Sequence, residues 1–141
     1  MEFIKSLIPS ENGTILGLGV ALGGTMLDRL FGGFDIVFEF LIVIMIIDYL
    51  TGVLAAYINP NEQLSSAKGW LGFLKKLLIL CLIVVANYVD TALGQDIVRN
   101  AVCWFFISNE GLSVLENAGK AGVPIPKKLK DSLKVLSKGG K

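Results

Sequence analysis

"LIVIMIIDYLTGVLAAY", residues 41–57, is nearly all apolar, yet an aspartate sits in its middle. In water Asp48 would be an ordinary helix residue. In a bilayer it is a statement about function, because a charge at the membrane centre costs about 2.5–3.5 kcal/mol on insertion scales. The solvent of the chain must therefore be settled first.

Composition points to lipid. The 141 residues allow one domain. Apolar residues make up roughly 62% when Gly is counted and Tyr is not, against about 45–50% in soluble domains. Charged residues are 18%, against about 25%. Eight of the charges lie in the last 22 residues, so the rest of the chain is poorer still. A small soluble domain has much surface per volume and needs polar cover. This chain lacks it. A soluble helical bundle is the competing reading, since no stretch reaches ~20 apolar residues without a charge. Each segment alone is a weak membrane signal; three in one charge-poor chain outweigh that objection.

Working outward, residues 34–58 predict a first membrane span. Twenty-five helical residues reach about 37 Å, enough for a ~30 Å hydrocarbon core with some tilt. Asn, Pro, Ser and Gly mark 59–69 as a loop. Residues 70–93 predict a second span, opened by Trp70 at an interface. A turn at 94–96 leads to a third span at 97–118. "AGVPIP", 121–126, ends it. Residues 127–138 predict a short basic amphipathic helix with Leu129, Leu133 and Leu136 on one face. A fourth candidate span, 14–31, is rich in Gly and shortened by Asp28 and Arg29; it is left open. The expectation is an all-α membrane protein with three firm spans, that N-terminal candidate, and a basic tail. Its parts are a leader at 1–33, a core at 34–119 and a tail at 120–141.

Lys and Arg in the loops set orientation. The tail carries Lys127, Lys128, Lys130, Lys134, Lys138 and Lys141, so it is expected in the cytoplasm. The loop at 59–69 then lies on the same side, and Lys68, Lys75 and Lys76 agree. The 94–96 turn, with Asp90, Asp96 and only Arg99, falls outside.

Catalysis finds no purchase. There is no His, no nucleophile beside a base and no phosphate loop. "GLGVALGG", 17–24, follows no strand and lacks the Lys-Ser/Thr of a nucleotide loop. Cys81 and Cys103 lie in apolar segments without metal spacing and read as fillers. No cofactor or metal site is expected. A cleaved signal peptide is not expected either. Two Arg and no basic face on a folded module make nucleic acid a poor partner.

Helical periodicity gathers the polar residues into stripes. Asp48, Thr51, Gly52 and Ala55 share a face of the first span. Lys76, Asn87 and Asp90 share one side of the second with Gly69 and Gly72. Arg99, Asn109, Glu110, Ser113, Glu116, Asn117 and Lys120 fall within about 120° on the third. Lipid rejects such faces, so they meet protein or water. Two readings stay open here. Asp48 reaches Lys76 and Asp90 reaches Arg99 inside one compact bundle, or many copies turn the stripes toward a lumen. The tail lysines with the Leu face favour an anionic inner leaflet over a merely solvated helix.

Three stretches together resemble a known family. "IDYLTGVLAA" (47–56), "LSSAKGWLGFLKKLLIL" (64–80) and "FFISNEGLSVLENAGKAGVPIPKKLKDSLKVL" (105–136) are similar in order and spacing to the phage holins, a family that includes clostridial toxin-secretion holins. The resemblance covers roughly residues 34–136. Its motif residues here are Asp48 and Gly52; Ser65, Lys68, Gly69 and Lys75; and Asn109, Glu110, Ser113, Glu116, Asn117, Gly122, Pro124, Pro126, Lys127 and Lys128. The family gives none of them a catalytic role. The resemblance implies a homo-oligomer of many copies in the bacterial cytoplasmic membrane, opening pores that release endolysin and lyse the host. Export of a toxin without full lysis is the alternative within the family. A non-pore scaffold or a small transporter subunit is the alternative outside it.

Overall fold

The computed structural model describes residues 11–59 and 65–137, and among them forms helices only. They are α1 (Glu11–Phe31), α2 (Ile36–Ile58), α3 (Ser66–Leu93), α4 (Val98–Lys120) and α5 (Lys127–Ser137). The chain divides into two units, Met1–Gly33 and Phe34–Lys141.

Among the described residues the first unit contributes α1. Gly17, Gly19, Gly23 and Gly24 meet nothing where a Cβ would stand, and Ile15, Val20 and Leu22 are exposed. The second unit holds the remaining helices. Asp35 starts α2: its carboxylate accepts the Phe38 N–H at 2.9 Å, the usual service of an N-cap. This places the helix start two residues inside the 34–58 expectation. α3 starts at Ser66, four residues before the sequence-based boundary, because Ser66 to Gly69 continue the helix rather than the loop. Gly94, at φ +65°, closes α3 in the left-handed conformation that a side chain resists. The end of α4 is a Schellman turn. Val123 N–H donates to the Ala118 carbonyl and Gly122 N–H to Gly119, both at 3.0 Å, with Gly122 at φ +87° and Pro124 just beyond.

α4 is the centre of this unit. It packs on α2, α3 and α5, while α2 and α3 meet each other only slightly. The core is thin: Phe38, Leu41 and Met45 of α2 with Ile79 and Ile83 of α3 and Cys103 and Ile107 of α4. Outside it, Ile46, Leu50, Leu54, Leu78 and Val85 are exposed. Apolar residues turned outward all round a helix mark a lipid-facing surface rather than a watery one.

Three helices are long and apolar enough to cross a membrane: Gly13–Phe31, Ile36–Ile58 and Ser66–Leu93. The N-terminal candidate left open by sequence is thus one of them. α4 has the length, at 23 residues, but its polar stripe keeps its average too low for that class. It sits between α2 and α3, which supply the apolar cover that it lacks. α5 forms as expected over Lys127–Ser137. Lys138 and the side chains of Leu133, Lys134 and Leu136 lie outside what the structure describes.

Candidate functional site

The polar stripes of three helices converge on one knot. Lys76 of α3 reaches between α2 and α4. Its ammonium donates to Asp48 Oδ2 at 2.9 Å and also to Glu110 Oε2. These side chains are only 12–16% exposed. Two carboxylates therefore share one ammonium, midway along α2 and α4. Asn117, two turns after Glu110, adds a neutral clasp. Its Nδ2 lies 3.1 Å from Asp48 Oδ1, 3.3 Å from the Asp48 carbonyl and 3.3 Å from Thr51 Oγ1. The Thr51 hydroxyl itself donates to the Asp48 carbonyl at 3.0 Å. Gly52 lies beside Asn117, and a Cβ there would stand in ordinary van der Waals contact 3.5 Å from its Nδ2.

This arrangement follows from spacing. Asp48 and Thr51 are one helical turn apart, as are Glu110 and Ser113, so each pair presents its polar groups along one line. Where α2 and α4 face each other, the lines meet. Next to the knot lies a cavity of about 230 Å³, lined by Asp48, Gly52, Ser65, Lys68, Ser113 and Asn117 among others.

A second cluster binds the opposite helix ends. Arg99, 6% exposed, pairs with Asp35 at 2.6 Å and lies 5.7 Å over the Phe38 ring. The Arg99 guanidinium holds the Asp35 carboxyl, which precedes the span, below the usual carboxylate range; partial burial pulls the other way. Asp90, 3% exposed, accepts the Val98 N–H at 2.9 Å and the Arg99 N–H at 2.7 Å. It thus satisfies two orphan donors at the start of α4, which has no capping side chain of its own. Asp90 thus reaches Arg99 across the outer turn as expected, through the Arg99 backbone N–H, while the Arg99 guanidinium pairs with Asp35. Asp35 was not singled out from sequence, although an Asp just before an apolar helical run is an N-cap signal.

The other expected residues are more scattered. Asn87, Asn109 and Ser113 are half-buried, and Glu116 is exposed. Ser108 of α4 is buried and satisfied by donating to the Trp104 carbonyl at 2.8 Å. In the tail Lys127 and Lys128 are exposed and Lys130 half-buried. No group of potential metal ligands gathers among the described residues. The chemistry on offer is ion pairing and hydrogen bonding between helices.

Comparison with known proteins fits this picture. A family model described as the bacteriophage holin family matches residues 25–138. The chain is 41% identical over 121 residues to a 14.9 kDa protein of the nagH 3′ region of Clostridium perfringens, covering 84% of this chain and 90% of the relative. It is 38% identical to YqxH of Bacillus subtilis, covering 76% and 75%. A probable holin of Bacillus phage phi105 is 36% identical over 99 residues, covering 70% and 72%. No solved structure matches. With three helices apolar enough to cross a bilayer and a family model that covers most of its length, this chain is a multi-pass membrane protein belonging to the bacteriophage holin family.

Proposed function

We propose that this protein oligomerises in the bacterial cytoplasmic membrane and opens pores through which endolysin leaves the cytoplasm, triggering lysis of the host. The observation that carries the reading is the division of each helix of the core. Asp48, Lys76, Glu110 and Asn117 are polar groups that lipid rejects, while the outer faces of α2 and α3 suit lipid. A lumen built from many copies gives such groups water and one another. Three amphipathic helices enclose too little space for a wide pore, so many copies are needed. The stripe of Asn87, Asp90, Arg99, Asn109, Ser113, Glu116 and Thr51 extends these contacts. The C-terminus lies in the cytoplasm, where Lys127, Lys128, Lys130, Lys134 and Lys138 attract anionic inner-leaflet lipids at about 1 kcal/mol each. The protein acts without a cofactor and performs no catalysis.

The test is leakage. The chain is induced in bacteria, and membrane potential is followed together with release of a folded cytosolic reporter enzyme. Loss of potential with enzyme release is expected. Intact potential and retained enzyme, with the protein demonstrably in the membrane, would overturn the proposal. Loss of potential alone would reduce it to a small ion-passing pore.

A further inference from the structure

We infer that the Asp48–Lys76–Glu110–Asn117 knot is an intramolecular latch: α4 must part from α2, or turn against it, before the polar stripe can meet water. The inference rests on the pore reading and adds the step that controls it.

The first argument is the direction of the polar groups. In the described state they are spent on each other. Lys76 is engaged by both carboxylates, and Asn117 by Asp48 and Thr51. The outer faces of α2 and α3 beside the knot carry Ile46, Leu50, Leu78 and Val85, with Tyr49 and Lys75 the polar exceptions. Copies assembled without rearrangement would present those apolar faces to any lumen, and water does not fill an apolar constriction. The second argument is the packing. α2 and α3 lean on α4 and scarcely on each other. One movement of α4 therefore exposes all three stripes at once. The third is charge. Lys76 has two carboxyl partners on different helices, so one contact can be released while the other is kept. Asp48, Lys76 and Glu110 lie on three different helices, so the same pairs can be rebuilt between the α4 of one copy and the α2 and α3 of the next. The partner of the opened latch is a second copy of this chain.

The ends of α2 and α4 offer a handle outside the knot. Asn59 Nδ2 donates to the Lys120 carbonyl at 3.2 Å, and Lys120 is exposed. The full-length chain carrying Cys81→Ala, Cys103→Ala, Asn59→Cys and Lys120→Cys is closed with a short reducible bifunctional thiosulfonate. It is then reconstituted into vesicles of anionic and zwitterionic phospholipid with trapped dye. Dye release at least tenfold slower than that of the reduced protein, and restored by reductant, is expected. Equal release from locked and reduced protein overturns the latch and leaves the pore reading standing. No release from either overturns both. A second variant needs no cysteine. Asn117→Ala removes the clasp and no charge, and should shorten the time from induction to loss of potential in cells by about half or more. Unchanged or longer timing counts against the latch.

Discussion

Asn117, near the end of α4, reaches back across 69 residues to bind both the carboxylate and the main-chain carbonyl of Asp48. One amide thereby fixes the register of two helices and shields part of a carboxylate from lipid. Interhelical hydrogen bonds in membranes are worth about 0.6 kcal/mol on average and rarely above ~1.7. The contact is strong enough to order a bundle and weak enough to be undone.

Asp48→Leu should raise the amount of protein in the membrane and delay or abolish lysis. It takes away the α2 side of the latch, but also the carboxylate that Lys76 and Asn117 of a second copy would take up, so the freed helices have no polar assembly to open into. Culture turbidity after induction reads the outcome; lysis at the normal time would remove Asp48 from the mechanism.

Lys76→Met should have the opposite sign for stability. Asp48 and Glu110 would then meet in the bilayer without their cation, where a remaining charge costs about 2.5–3.5 kcal/mol near the centre unless it takes up a proton. Several-fold less protein should survive in membranes after a short pulse of synthesis. Lys76→Arg, which keeps the charge, should recover most of it. Equal recovery of Met and Arg variants would show that the ion pairs carry little weight.

The Asp35–Arg99 contact makes a statement about acid. Its folded carboxyl titrates lower than the free one, at about 3.9, so the pair contributes at all pH values above that and loses its contribution as pH falls through the folded value. Amide exchange at the start of α2 in detergent micelles, taken relative to the intrinsic rate at each pH, should therefore be flat from neutral pH down to about 4 and rise below it. Asp35→Asn should abolish that acid step. A rise that persists in the variant would assign it to another group.

Lys127→Gln, Lys128→Gln and Lys130→Gln together should free α5 from anionic membranes. At about 1 kcal/mol per lysine the combined loss is roughly two orders of magnitude in surface affinity. A polarity-sensitive dye on Ser132→Cys, in the full chain, should shift to the blue on anionic vesicles and not on zwitterionic ones, and the triple variant should lose the difference. Identical spectra in both lipids would leave the tail a solvated helix.

Helix periodicity made much of this legible. Asp48 and Glu110 could be set on polar faces, and Asp48–Lys76 could be named as a pair, because 3.6 residues per turn fixes a face without any tertiary knowledge. What stayed hidden was which faces meet. Lys76 bridging both carboxylates depends on α4 lying between α2 and α3, and no local pattern encodes that. Asp90 turned out to serve the backbone of Val98 and Arg99, because an N-terminal turn without its own cap borrows one from whatever lies opposite. The span boundaries show a different limit. α4 was readable as a helix from its stripe, yet the same stripe lowers its average, whereas the Gly-rich α1 has the apolar length despite Asp28 and Arg29.

The central place of α4 has a consequence for how the protein is made. Ribosomes deliver helices in chain order, and α4 emerges after α2 and α3. On its own it would be a poor client of the insertion machinery, because Arg99 and Glu110 each oppose entry into lipid. By the time Glu110 arrives, however, Asp48 and Lys76 are already in the bilayer, and Lys76 offers it a waiting counter-ion. Biogenesis is thus templated: the earlier helices hold open a berth that the last one fills. A chain stopped after Leu93 should insert unaided, whereas α4 fused alone to a reporter should not.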